Sequence, residues 1–197
     1  VRPQYCPDPR LANWGLAFIR TPFPGRTLVG HGGAYFGGWN SELALSLDED
    51  VAVIQHMNVM LDDPAPVFRQ IQRAVFDVAE PAYAPRPIDP ALLDQAPGLY
   101  QLTPGRLTNF RPATAIGRIR IDRESSALML TSRWGKWKAG VPLVPADAND
   151  PLFFAVQPDG RDPSRVVFTR DADGRIDGLR CDRLVRMVKM QDQGETR

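Results

Sequence analysis

The stretch Pro81-Ala82-Tyr83-Ala84-Pro85-Arg86-Pro87-Ile88-Asp89-Pro90 places four prolines in ten residues. Each proline fixes φ, removes a backbone donor and restricts the residue before it, so the run is expected to be an extended linker and neither helix nor central strand. It divides the 197-residue chain into residues 1–80 and residues 91–190, followed by a polar tail at 191–197. The two parts carry different patterns and are expected to fold differently.

Residues 91–190 read as short strands at about ten-residue spacing, the signature of a sandwich or barrel. Candidate strands are 98–102, 107–110, 115–121, 127–131, 134–138, 141–144, 152–156, 165–169, 175–180 and 183–188. Arg118-Ile119-Arg120-Ile121 and Leu128-Met129-Leu130 alternate with the period of two that a half-buried strand requires. Pro104-Gly105, Pro158-Asp159-Gly160 and Asp171-Ala172-Asp173-Gly174 supply turn chemistry between them. So many antiparallel strands in so short a segment are best accommodated by a small closed barrel, which leaves no edge strand.

Residues 1–80 suggest a β-β-β-α unit. Strands are expected over 14–20, 27–30 and 42–47, with Leu43, Leu45 and Leu47 on one face. Asp48-Glu49-Asp50 turns the chain into a further strand over 51–57, making a hairpin. A helix follows, capped by Asp62 or Asp63 with Pro64 in its first turn, and Val67, Phe68, Ile71, Ala74, Val75 and Val78 form an apolar stripe expected to cover the sheet. The whole is mainly β, of the α+β class. A unit this small leaves a sheet edge open, so it is expected to belong to a larger domain or to dimerise through that edge.

Composition narrows the function. With 43% hydrophobic and 24% charged residues the chain is neither disordered nor a coiled coil. No apolar run approaches the ~20 residues of a membrane span. The first 80 residues carry 6 basic and 9 acidic side chains and the remainder 18 and 14, interspersed, which is no nucleic-acid footprint. Cys6 and Cys181 lie near opposite ends and are expected to be free thiols. Neither they nor the two histidines, His31 and His56, have the spacing of a metal site, and no cofactor is expected. Asp171-Ala172-Asp173-Gly174-Arg175-Ile176-Asp177-Gly178 lacks the glycine and terminal glutamate of a calcium loop and reads as hairpin turn. His56 is expected to be a face or core histidine. Trp39, Trp134 and Trp137 could line a pocket but are more often core.

The unusual stretch is Val29-Gly30-His31-Gly32-Gly33-Ala34-Tyr35-Phe36-Gly37-Gly38-Trp39-Asn40, with five glycines in nine residues around one histidine. On composition alone it reads as a glycine-rich turn; functionally, it implies close approach of something to the backbone. It is not a phosphate loop, since no Gly-Lys-Ser/Thr or G-x-G-x-x-G opens a helix there.

The ordered series Trp14-Gly15-Leu16-Ala17-Phe18, then Val29-Gly30-His31-Gly32-Gly33, then Gly38-Trp39-Asn40-Ser41, then a hairpin ending in Met57-Asn58 and a helix, resembles the C-terminal third of the catalytic domain of the β-lactamase-like serine hydrolases. These include class C β-lactamases, DD-peptidases, related esterases and D-aminopeptidases. Their third motif is Lys-Thr-Gly or His-x-Gly, here His31-Gly32-Gly33. The barrel is similar to the lipocalin-like module that follows this catalytic domain in many members. The resemblance implies hydrolysis of a small-molecule ester or amide through an acyl-serine. It implies that His31 lies on the strand beside the active site, that the Ala34 N–H is a donor of the oxyanion hole, and that Gly32 and Gly33 let substrate approach. Without the resemblance, His31 reads as a turn histidine bonded to backbone.

The family's nucleophile motif Ser-x-x-Lys and its Tyr-x-Asn element do not occur in these residues. The expectation is therefore a C-terminal portion, inactive alone, whose partner is the missing N-terminal part of the catalytic domain. The chain opens Val1-Arg2-Pro3 without initiator Met or signal segment. That gives a cytoplasmic location if it is complete, and a periplasmic or envelope location by resemblance. The alternatives are a stand-alone barrel that binds a small ligand, and an interaction module that dimerises through the open sheet edge.

Overall fold

A computed structural model of the chain describes residues 8–35, 38–59, 64–81, 85–102, 117–156, 164–182 and 185–190, together with residues 2, 4, 6, 61 and 83. The chain forms two compact units, one within Val1–Ala82 and one beginning at Tyr83. The fold is mainly β: an antiparallel sheet in the first unit and a closed eight-stranded barrel in the second.

The sheet of the first unit has five strands in chain order, β1 (Asn13–Trp14), β2 (Ile19–Phe23), β3 (Arg26–Tyr35), β4 (Trp39–Ser46) and β5 (Val51–Met57), each antiparallel to the next. The expected strand over 14–20 is thus replaced by two. Gly15 and Phe18 close a tight turn between them, the Gly15 N–H donating to the Phe18 carbonyl at 2.7 Å, with Ala17 in the left-handed region at φ 61°. The expected strand over 27–30 continues through His31-Gly32-Gly33-Ala34 to Tyr35, which corrects the reading of these glycines as turn. Pairing with β4 is uninterrupted from Val29 opposite Leu45 to Tyr35 opposite Trp39, and a paired strand satisfies this backbone better than a loop would.

Helix α1 (Ala65–Val75) begins at Pro64 with no side-chain cap; Asp62 and Asp63 lie outside the described residues. The side it packs against the sheet keeps only part of the expected stripe: Phe68 is buried and Val78 packs against the core of this unit, but Ala74 is exposed. Ile71 and Val75 are 42% and 51% exposed, whereas Phe68, Gln72 and Arg73 are buried. The reason is polar pairing: Gln72 Nε2 donates to Glu42 Oε1 at 2.8 Å, and Gln55 Nε2 donates to the Phe68 carbonyl at 3.4 Å. Beside them the apolar core of this unit gathers Phe23, Leu28, Ala44, Val53 and Phe76, with Arg26 lying 4.6 Å over the Phe76 ring.

In the second unit the proline run does not stay extended to its end. Pro90 opens a short helix, α2 (Pro90–Gln95), because its fixed φ suits a first turn and the Asp89 carboxylate accepts from the Ala91 N–H at 2.9 Å. Strands β6 (Gly98–Leu102), β7 (Ile119–Glu124), β8 (Ala127–Ser132), β9 (Val141–Pro145), β10 (Phe153–Val156), β11 (Ser164–Arg170), β12 (Ile176–Cys181) and β13 (Val185–Lys189) pair successively, and β13 closes on β6. The segment expected as a strand over 134–138 carries a single turn of 3₁₀ helix at Gly135–Trp137. The candidate strand 107–110, the first part of 115–121 and the turns at Pro104-Gly105 and Pro158-Asp159-Gly160 fall outside the described residues, as does the tail at 191–197.

Side chains occupy the barrel interior. Tyr100, Ile119, Ile121, Leu128, Leu130, Phe154, Phe168 and Leu179 are at most 1% exposed, with Phe154 and Phe168 meeting edge to face at 5.6 Å. Leu92, Leu93 and Ala96 join this core, as does Trp137, while Trp134 is 46% exposed. Asp171 closes the hairpin between β11 and β12 by accepting from the backbone of Asp173 and Arg175 at 3.0 and 2.8 Å. Among the described residues no cluster of three or more His, Cys, Asp or Glu forms a metal site, and no helix is long and apolar enough to cross a membrane.

Candidate functional site

The glycine-rich strand is where the first unit departs from ordinary packing. His31, Gly32, Gly33 and Ala34 are all exposed, four in succession on one strand. The cause lies in the neighbours. Among the described residues β2 pairs with β3 from Phe23 opposite Arg26 to Ile19 opposite Gly30, and β1 has β2 as its strand partner. Beyond Gly30, among the described residues, the β2-facing edge of β3 has no strand beside it, while its other edge is fully paired to β4. Backbone N–H and C=O groups on that edge are available to an extended ligand, the mode by which peptides add to sheets.

The glycines differ in what they permit. A Cβ on Gly30 would collide with the Leu43 carbonyl, so this glycine is required by the approach of β3 to β4. A Cβ on Gly32 would come no closer than 3.4 Å to the Ser41 carbonyl, and one on Gly33 no closer than 3.5 Å to Ser41 Oγ, both ordinary contacts. Packing therefore leaves Gly32 and Gly33 free to carry side chains. Their lack of them leaves the sheet faces beside the open edge without side chains at these two positions.

The register sorts the neighbouring side chains. On the sheet face away from α1, His31 lies opposite Leu43, which lies opposite Ile54; one pair further along, Gly33 lies opposite Ser41 and Ser41 opposite His56. His31 and His56 therefore share a face but stand two strands apart, and both are exposed. On the other face Ala34 pairs with Asn40, whose buried amide donates to the Val59 carbonyl at 2.7 Å and ties the end of β4 to the segment after β5. Leu43 and Leu45 are half-buried; Leu47 and Ile54 are 52% and 66% exposed.

One contact of the site has no counterpart in the sequence. The Trp14 indole lies against the His31 imidazole, ring centroids 6.3 Å apart and planes tilted by 57°. Trp14 and His31 are 17 residues apart, and only the turn at 15–18 followed by the β2–β3 hairpin brings them together, so spacing carried no signal of the contact. Trp39 is an exposed residue of the first unit; in the second, Trp137 is barrel core and Trp134 is at the barrel surface.

No protein-family model matches the chain, and no curated protein matches it. Among solved structures it is similar to the octameric penicillin-binding protein homologue from Pyrococcus abyssi, with a TM-score of 0.33 and 16% identity over 90% of this chain and 37% of that one. The chain spans little more than a third of the length of that protein.

Proposed function

We propose that this chain is the C-terminal part of a β-lactamase-like serine hydrolase. In this reading residues 1–80 close the catalytic domain, 81–90 join the two units, and 91–190 are a lipocalin-like module. The observation that carries it is the unpaired edge of β3, where His31, Gly32, Gly33 and Ala34 stand exposed beyond the last β2 pair at Gly30. A carbonyl substrate laid along that edge brings its oxygen to the Ala34 N–H. The oxygen gains negative charge as a serine Oγ attacks the carbonyl carbon, and a backbone donor fixed in a strand stabilises that charge without reorganising. Collapse of that intermediate breaks the ester or amide bond, the alcohol or amine leaving with the proton the base took from the serine; water then attacks the acyl-serine, releasing the acid and the free serine hydroxyl. His31 stands at the start of the same edge, within reach of a bound ester or amide or of the base that serves the serine.

The serine and its base are supplied from outside these residues, because Ser-x-x-Lys and Tyr-x-Asn are both absent from them. The small-molecule substrate and the missing catalytic part are therefore the partners of the first unit. The test is hydrolysis of p-nitrophenyl acetate by the protein produced from its native coding region, compared with its His31→Ala variant. Hydrolysis that falls at least about tenfold in kcat/KM with the fold intact supports the role of His31. Equal rates remove it.

A second reading, self-association through the sheet edge, is favoured by β5, which pairs only with β4 among the described residues and carries the 66% exposed Ile54. Sedimentation of the 197-residue chain tests it: a monomer across the micromolar range dismisses it. The barrel as a carrier of a small ligand is less well supported, since Tyr100, Phe154 and Phe168 fill its described interior.

A further inference from the structure

The segment Trp14-Gly15-Leu16-Ala17-Phe18 is built with more care than a two-residue strand needs. β1 adds only the pairs Asn13–Arg20 and Trp14–Ile19 to the sheet. Yet it is anchored on every side: the Gln4 N–H donates to the Trp14 carbonyl at 2.6 Å, Arg20 Nη1 donates to Asn13 Oδ1 at 3.4 Å, and the Gly15 N–H donates to the Phe18 carbonyl at 2.7 Å. The turn keeps Ala17 at φ 61°, a conformation that costs a non-glycine residue free energy and is retained only where the surroundings fix it. What this anchoring delivers is the half-buried Trp14 ring against the exposed imidazole of His31.

An exposed histidine on a strand samples several rotamers. A tilted aromatic neighbour favours one of them by about two- to tenfold in population, the range expected for an aromatic pair. We propose that Trp14 is a positioning residue: its indole holds the His31 ring at the head of the unpaired edge of β3, ready for a carbonyl substrate lying along that edge. The proposal rests on the hydrolase reading of that edge. It adds to that reading a residue from a different strand, one that acts through its contact with His31.

The chain has two histidines, so His56 on the same sheet face is an internal control. In proton NMR of the 197-residue chain, Trp14→Ala is expected to move the His31 Cε1–H resonance by removing the indole ring current and to leave that of His56 in place, while Trp14→Phe restores part of the shift. In an ester-hydrolysing form of the protein, Trp14→Ala is expected to lower kcat by about three- to tenfold with KM nearly unchanged, and Trp14→Phe to recover most of the loss. An unmoved His31 resonance overturns the proposal. So does full hydrolysis by Trp14→Ala in a protein that His31→Ala cripples, an outcome that leaves the hydrolase reading standing. If the protein hydrolyses no ester, or His31→Ala hydrolyses as well as the parent, the reading of the edge fails and the proposal with it. Phenylalanine retains the aromatic packing, so if Trp14→Ala unfolds the His31 Cε1–H resonance of Trp14→Phe decides the matter: the smaller ring current is expected to move it part of the way, and a resonance left at the parent position overturns the proposal.

Discussion

The Leu43 carbonyl oxygen stands where a Cβ on Gly30 would be placed. The two strands meet too closely there for any side chain, whereas two and three residues further along β3 there is room for a methyl group at Gly32 and Gly33. Gly30→Ala is therefore expected to destabilise the first unit by about 1–3 kcal/mol or more, because backbone and not a flexible side chain must move. Gly32→Ala and Gly33→Ala are expected to stay within about 1 kcal/mol of the parent, as glycine in a strand interior is itself unfavourable. Urea denaturation of the three variants checks the order. In a hydrolytic form of the protein Gly33→Ala is expected to lower kcat/KM despite its stability, since the methyl stands on the face that His31 shares, beside the open edge.

Gln72 is fully buried and spends its amide on Glu42 across the helix–sheet contact. Gln72→Ala is expected to cost about 1–3 kcal/mol by leaving the Glu42 carboxylate without this donor in a half-buried place. Thermal unfolding reads the loss. A variant as stable as the parent contradicts the account of why polar residues of α1 face the sheet.

The same contact shows where the sequence was legible and where it was not. The alternation of Leu43, Leu45 and Leu47 and the acidic turn at Asp48-Glu49-Asp50 located the hairpin of β4 and β5, and Leu128-Met129-Leu130 located β8, because period-two patterning is a local signal. The helical periodicity points Ile71 and Val75 at the sheet, because it counts apolar residues and cannot see that Gln72 finds a partner 30 residues away. The glycines of β3 argued for a turn by composition, yet cross-strand pairing over seven consecutive residues overrode that tendency. The proline count places Pro90 in the linker, although proline also begins helices. For the proposed site, the glycine-rich composition around His31 singles out the segment His31-Gly32-Gly33-Ala34. The open edge beside them and the Trp14 contact depend on where β2 stops, which no local pattern encodes.

Alkaline pH is expected to weaken the barrel. Burial, with the Asp182 carboxylate as the lesser cause, pushes the Cys181 thiol up from its ordinary value of 9.0. Burial, then Asp177, does the same to the Tyr100 phenol from 10.0, and that hydroxyl donates to the Ala96 carbonyl at 2.6 Å. Both groups ionise more readily in the unfolded chain than in the fold. The stability tied to their neutral forms is thus fully present below those values and is lost as pH rises above them, by up to about 1.4 kcal/mol per pH unit for each group. Denaturation midpoints measured from pH 8 to pH 11 are expected to fall, and Cys181→Ala to remove the earlier part of the decline.

The two thiols are expected to react very differently. Cys6 is exposed and Cys181 is buried among barrel side chains. At pH 8 a disulfide reagent such as dithiobis(nitrobenzoate) is expected to titrate one thiol per native chain rapidly and the second only after denaturation. Rapid reaction of both contradicts the closed barrel.

The most direct test of the central claim is labelling of the protein made from its native coding region with a fluorophosphonate, followed by mass-spectrometric location of the adduct. The account predicts one labelled serine outside these 197 residues, with slower labelling in the His31→Ala variant. A native product that takes up no label, or takes it up within these residues, contradicts the assignment of the glycine-rich edge to an acyl-serine hydrolase.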